Sequence, residues 1–216
     1  MSIPKQKTNW AKSWREGKTG FHLSHPNPNL EKYAHILADC KKILFPLCGK
    51  TLDMHYMHHK GHHCIGVERV EKAIQSFFAE WDVIPKQNNH IYQHQQITIH
   101  HQNIFAVHAE NIPNIDGIFD RAALIALPIE IRQQYANHLL SFLPAGGKIL
   151  MITIDMPRPQ EQGPPFLVRK EAIPTLFSAA SDVSCLAVVH KTPKDEPFLL
   201  RNDMEWMDEY VWSITK

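Results

Sequence analysis

Ile43-Leu44-Phe45-Pro46-Leu47-Cys48-Gly49-Lys50-Thr51-Leu52-Asp53-Met54 joins a short apolar run to a turn that contains a glycine. The apolar part is too short for a free-standing helix and is bounded by Gly49 and Thr51, which predicts a buried strand turning sharply into a helix. Strand, glycine turn and helix form the layout of a nucleotide site. The next apolar run, His63-Cys64-Ile65-Gly66-Val67-Glu68, completes the unit and ends in a carboxylate about 20 residues after the turn, where it can accept hydrogen bonds from ribose hydroxyls.

Charge decides which nucleotide. Gly49-Lys50-Thr51 looks like the tail of a phosphate-cradling loop, but that loop needs a glycine at the position held by Leu44. Phe45, Pro46 and Leu47 leave few backbone N–H groups to face a phosphate, and Asp53 puts negative charge into the first turn of the helix. S-adenosylmethionine carries a ribose and an adenine but a sulfonium and a zwitterionic tail in place of phosphates, and it suits such a turn. Leu47 and Glu68 are therefore candidate cofactor residues, with a phosphorylated nucleotide or a plain buried strand-turn-helix as the alternatives.

Length and composition bound the rest. A chain of 216 residues, 44% hydrophobic and 21% charged, is expected to form one soluble globular domain over residues 1–216. A net charge of +1 offers no field for nucleic acid or a membrane surface. Residues 1–7 lack the apolar core of a leader, and no apolar run approaches the roughly 20 residues that span a bilayer, so a cytoplasmic protein is expected. Cys40, Cys48, Cys64 and Cys185 show no paired spacing and read as reduced thiols, mostly small core residues. His55, His58, His59, His62 and His63 align at helical spacing, yet no carboxylate or cysteine completes a ligand set on that face, and a solvated histidine face with no metal is expected.

Several blocks, in the same order along almost the whole chain, resemble the thiopurine S-methyltransferase family: Trp10 with Trp14, Gly17-Lys18-Thr19-Gly20-Phe21-His22, residues 45–54, Gly66-Val67-Glu68, Phe119-Asp120-Arg121-Ala122-Ala123-Leu124, Leu143-Pro144-Ala145-Gly146-Gly147 and Gly163-Pro164-Pro165-Phe166. The resemblance implies an S-adenosylmethionine-dependent enzyme of the class I, Rossmann-like fold. It also implies that residues 1–30 act as a flap over the active site. Trp10 and Trp14 share a helix face and would cover the cofactor, where aromatic faces attract a sulfonium. Phe21 would line the acceptor pocket, and Arg121 would stand beside both cofactor and acceptor. Ile104 and Phe105, after the third strand, are candidates to flank adenine, although the family commonly has an acidic residue where this chain has Ala106.

The remaining pattern fits that fold. Helices are expected over 30–39, from Gly49 to Gly61, and over 71–81, 130–142 and 170–179, with strands at 97–99, 115–121, 148–155, 183–190 and 209–214. Residues 85–96, rich in Asn, Gln and His, are expected to be a surface loop. The alternation predicts an α/β, doubly wound, seven-stranded and mostly parallel sheet that closes on an antiparallel pair.

The expected activity is methyl transfer to thiopurines and other aromatic or heterocyclic thiols, with selenium or tellurium acceptors implied by the resemblance. The alternatives are a methyltransferase for halides or small thiol ions and a non-catalytic sensor of the methyl donor or a nucleotide. No catalytic base is identified. Asp155 and Arg201 are the polar residues nearest the expected acceptor side, and a monomer is expected.

Overall fold

Strands of the computed structural model alternate with helices along the chain, and the model describes residues 8–159 and 162–216. Residues 1–7, which carry the leader argument and the start of the expected flap, lie outside them. In chain order the strands are β1 (Lys42–Pro46), β2 (His63–Glu68), β3 (Lys86–Asn88), β4 (Ile91–His94), β5 (Ile97–His101), β6 (Gly117–Arg121), β7 (Lys148–Asp155), β8 (Asp182–Lys191) and β9 (Met207–Thr215). The helices are α1 (Trp10–Arg15), α2 (Pro28–Tyr33), α3 (Asp53–His59), α4 (Glu71–Glu80), α5 (Ile129–Phe142), α6 (Ala172–Leu176) and α7 (Pro197–Arg201). None is long and apolar enough to cross a membrane among the described residues.

The nine strands form one sheet in the order β3-β4-β5-β2-β1-β6-β7-β9-β8. Its centre, β5-β2-β1-β6-β7, is parallel, while β9 runs antiparallel between β7 and β8. The chain lays β2 on one side of β1 and β6 on the other. The strand order therefore reverses beside β1, and open α/β sheets bind ligands outside the carboxyl ends of their strands at such a point.

Period-two alternation in these strands feeds two cores. Leu44, Ile118, Ile149 and Met151 pack on one face with Tyr135 and Leu139 of α5, whereas Ile43, Phe45, Phe119 and Leu150 pack on the other with Leu30, Met54 and Phe77. Strands buried on both faces read as near-continuous apolar runs, which is how β1, β2 and β7 stand in the sequence.

The sheet has nine strands where seven are expected. The extra pair comes from residues 85–96, which form the antiparallel hairpin β3-β4 that pairs onto β5. Two-residue loops at Asn89-His90 and Gln95-Gln96 make the reversals, and Asn89 and Gln95 both adopt a φ of 51°. Such left-handed residues are what tight hairpins require. Every residue of β3 is exposed, so main-chain pairing and a bond from Gln87 Nε2 to the Tyr92 hydroxyl at 3.0 Å hold it, and no apolar period marks it. The expected helix over 30–39 is six residues of α2 followed by a 3₁₀ turn at Ala34–Leu37, and that over 170–179 shrinks to α6.

Candidate active site

A cavity of about 500 Å³ opens at the carboxyl ends of β1, β2, β6 and β7, within the range of small-molecule sites. Its floor is the turn after β1. Leu47 and Gly49 both take left-handed backbone, φ 49° and 55°, so the chain winds back on itself before α3 begins. A Cβ on Gly49 would lie 3.1 Å from Trp14 Cζ2, so the Trp14 indole rests directly on this turn.

Glu68 ends β2 beneath the turn and is 6% exposed. Its Oε2 accepts the Gly49 N–H at 3.0 Å and its Oε1 the Val70 N–H at 2.7 Å. Burial pushes its pKa up, and the Val70 and Gly49 N–H groups pull it back down. A carboxylate has about four acceptor sites, so Glu68 can take a ligand hydroxyl in addition to backbone N–H groups. Lys50, the residue that suggested a phosphate loop, instead forms an ion pair with Glu80 of α4 and is thereby drawn off the floor.

Side chains from residues 8–22 also line the cavity. Asn9 caps α1 by accepting the Lys12 N–H at 3.0 Å, a standard device for a short helix. Trp10 and Trp14 both meet the edge of Phe21 at 5.7 Å. Trp14 is buried against Val70 and Ala73, while Trp10 is half-buried and its indole Nε1 is shielded with no hydrogen-bond partner. A shielded N–H at a cavity wall costs free energy until a ligand accepts from it. His22 reaches Glu80 at 3.9 Å from the same segment, and burial followed by Lys50 lowers its pKa.

Arg121 closes β6. Its Nη1 donates to the Phe21 carbonyl at 2.6 Å, which ties the sheet's edge to the N-terminal segment. Burial lowers its pKa, opposed by Asp53, Glu209 and Glu196. Asp53 itself is buried, accepting the Asn27 N–H at 2.7 Å and the Thr51 hydroxyl at 2.7 Å. Asp120 is not the ion-pair partner its position beside Arg121 suggests. Alternation sends it to the opposite face, where it accepts from the Tyr135 hydroxyl at 2.8 Å and the Leu124 N–H at 3.2 Å.

The cavity thus brings together Trp10, Trp14, Phe21, Leu47, Glu68 and Arg121, with Arg201 at its rim. Ile104 and Phe105 do not line it. Asn103 caps a 3₁₀ turn there, Ile104 enters the core, and Phe105 packs on Tyr135 and His138. Asp155 is also outside, accepting its neighbour Met156 N–H at 2.9 Å and lying 3.5 Å from Arg169. The residues that sequence reasoning missed are Ile125, Glu196, Phe198, Met207 and Glu209, which line the acceptor side from separate elements. Only the expected strand over 209–214, which starts at Glu209, offered a signal for any of them.

Three histidines of residues 55–63 have local partners. His55 stacks on Phe77 at 4.5 Å, His58 Nε2 meets Gln95 Oε1 at 2.8 Å, and His62 Nδ1 meets the Cys40 carbonyl at 2.6 Å. Among the described residues no group of three or more His, Cys, Asp or Glu side chains is arranged to hold a metal ion. Cys40, Cys48 and Cys64 are buried free thiols whose pKa values burial pushes up, Cys40 to about 12.

The site fits a phosphate-free nucleoside with a charged tail. It offers a buried carboxylate at Glu68, a shielded N–H on Trp10 and the aromatic rings of Trp10, Trp14 and Phe21. Comparison with known proteins agrees. The family profile described as thiopurine S-methyltransferase matches residues 5–216. A protein of that name from Pseudomonas fluorescens is 40% identical over 170 residues, covering 76% of this chain and 77% of the relative. Another from Legionella pneumophila is 35% identical over 214 residues, covering 96% of each. Among solved structures, a Burkholderia thailandensis 1,6-didemethyltoxoflavin-N1-methyltransferase with bound S-adenosylhomocysteine superposes with a TM-score of 0.64 at 13% identity, covering 96% of this chain and 85% of that one. TehB from Haemophilus influenzae gives 0.61 at 16% identity, covering 95% and 67%. Both likenesses are of the class I methyltransferase fold. With the match running from the flap through Glu68 and Arg121 to the final strand, the chain belongs to the thiopurine S-methyltransferase family and is a methyltransferase that draws its methyl group from S-adenosylmethionine.

Proposed function

We propose that this enzyme methylates the sulfur of aromatic and heterocyclic thiols, working as a single domain with residues 1–30 as the flap. The observation that carries the reading is Arg121, a guanidinium at the cavity's edge tied to the flap through the Phe21 carbonyl and bordered by the apolar side chains of Phe21, Ile125, Ile154 and Phe198. An anionic sulfur on a flat ring finds there one cation and a greasy wall.

Bound donor supplies a methyl group on a positively charged sulfur. Transfer is an in-line displacement, so alignment and exclusion of water supply most of the rate. The Arg121 guanidinium stays charged and cannot act as a base, but its fixed fork of N–H groups holds a thiolate in line. Phe21, Phe198, Pro164 and Pro165 keep water from the reacting atoms. A thiol already ionised near neutral pH needs no base for this step.

The test is a screen with labelled donor across thiopurines, thiophenols, selenite and iodide. Label is expected in the aromatic and heterocyclic thiols, and selenite tests the extension to selenium or tellurium species. Transfer to iodide with none to any thiol would overturn the reading.

A further inference from the structure

We infer that Glu80 on α4 sets the preference of the cavity for the cationic methyl donor over its demethylated product, by neutralising Lys50. The inference rests on the cavity being the donor's site and holds whichever acceptor the enzyme takes. Lys50 follows Gly49 in the turn after β1 and lines the cavity, so its ammonium belongs to the same wall as Glu68. The donor's sulfonium brings a further positive charge into that space, while the product's sulfur is neutral. An uncompensated ammonium would therefore oppose the donor and leave the product unaffected.

Glu80 stands behind this wall and is not itself among the lining residues. Its Oε1 forms the ion pair with Lys50 Nζ, and its Oε2 lies 3.9 Å from His22 Nε2. Lys50 is the more sheltered partner, its side chain 17% exposed against 46% for Glu80. The stability of the fold does not explain the pair. Glu80 is the last residue of α4, where the helix dipole disfavours a carboxylate, and a part-exposed ion pair adds little to stability.

What the pair does is restrain a mobile cation. An ammonium on a flexible four-carbon stem, once released from Glu80, has two other carboxylates to turn to, Glu68 and Asp53, and both line the cavity. Glu80 thus cancels the charge of Lys50 and keeps its stem at the outer side of the turn. It is a positioning residue, acting on the ligand through Lys50.

The experiment measures Kd for S-adenosylmethionine and for S-adenosylhomocysteine by calorimetry in wild type, Glu80→Gln and the double variant Lys50→Met/Glu80→Gln. Low ionic strength leaves charges unscreened, and at pH 8 His22, its pKa lowered by burial and Lys50, is uncharged. A sphere of about 500 Å³ is about 10 Å across, and one unit charge acting over about 10 Å at an effective dielectric of about 20 corresponds to about 15-fold in Kd. In Glu80→Gln the donor is expected to weaken by about that factor relative to the product, and the double variant, with neither charge, to return to the wild-type ratio. Mere damage to the floor would weaken both ligands alike, since both carry the ribose, so an unchanged ratio in Glu80→Gln overturns the inference. At 1 M salt, where the screening length falls to about 3 Å, the difference from wild type should vanish, and its persistence would also overturn it. Should Glu80→Gln fail to fold, Lys50→Met alone decides: it leaves the carboxylate unopposed and should shift the ratio toward the donor, and an unchanged ratio there refutes the role of the pair. Wild-type affinity for both ligands in Glu68→Gln would show that the cavity is not the donor's site, and the inference would fall with it.

Discussion

Replacing Glu68 by glutamine removes one charge from the floor of the cavity while keeping the side chain's length. In the folded protein both carboxylate oxygens already accept backbone N–H groups, from Gly49 at 3.0 Å and Val70 at 2.7 Å. Glutamine satisfies one of these with its carbonyl and turns an NH₂ group toward the other, so the turn is disturbed as well as the ribose contact. A hydrogen bond to a charged partner contributes about 1.5–3 kcal/mol, which corresponds to roughly 12- to 150-fold in Kd for the demethylated donor. Glu68→Ala should cost stability too, because the Gly49 and Val70 N–H groups would be left buried without partners, at about 1–3 kcal/mol each. Calorimetry measures the affinity and urea unfolding the stability. Wild-type affinity in a fully folded Glu68→Gln protein would refute the assignment of Glu68 to the ribose.

Arg121→Lys keeps a charge but loses the planar fork and the bond to the Phe21 carbonyl. It should leave donor affinity nearly intact and lower kcat/KM for an ionised thiol by roughly 1–3 kcal/mol, and wild-type turnover would show that Arg121 does not act on the acceptor. Burial lifts the Asp120 pKa from the ordinary 3.8 to about 6, against the pull of Tyr135 and Leu124. An acid whose folded value is raised stabilises the fold while protonated. Its contribution is therefore complete below about pH 4 and is lost, by at most about 3 kcal/mol, as pH rises to about 6. Asp120→Asn should flatten that part of the stability curve in urea titrations, and an identical slope in wild type and variant would contradict it. Gly66→Ala would set a Cβ 2.7 Å from Cys48 Sγ and 3.2 Å from both Ile99 and Met54. Overpacking of this kind should cost about 1–3 kcal/mol, and an unshifted melting temperature would show that β2 can move away.

What the sequence disclosed follows from how local each signal is. Leu47, Gly49 and Glu68 lie in one strand-turn-helix-strand unit, and Trp10 and Trp14 in one helical turn, so spacing alone brings each set together. Arg121 was legible as the end of a strand, and Asp120 beside it turns to Tyr135 on the other side because two neighbours in a strand face opposite ways. The hairpin over 86–94 stayed hidden because β3 buries neither face, leaving only its turn residues as a sign. Glu196, Phe198 and Glu209 reach the cavity from α7 and β9, and their meeting depends on β9 inserting beside β7. No spacing in the sequence encodes that. Ile104 and Phe105 stand where the fold commonly lines its site, yet the turn capped by Asn103 rotates them away from the cavity.

The position of β9 also bears on how the protein is synthesised. The flap, the β1 turn, Glu68 and Arg121 all leave the ribosome within the first 121 residues, and their strands can pair as they emerge. β8 comes later but pairs only with β9, the last strand of the chain. Ten residues of β8 must therefore wait without a neighbour until Met207–Thr215 slides in beside β7. The part of the pocket lined by β1, β2 and β6 can therefore precede the part lined by α7 and β9.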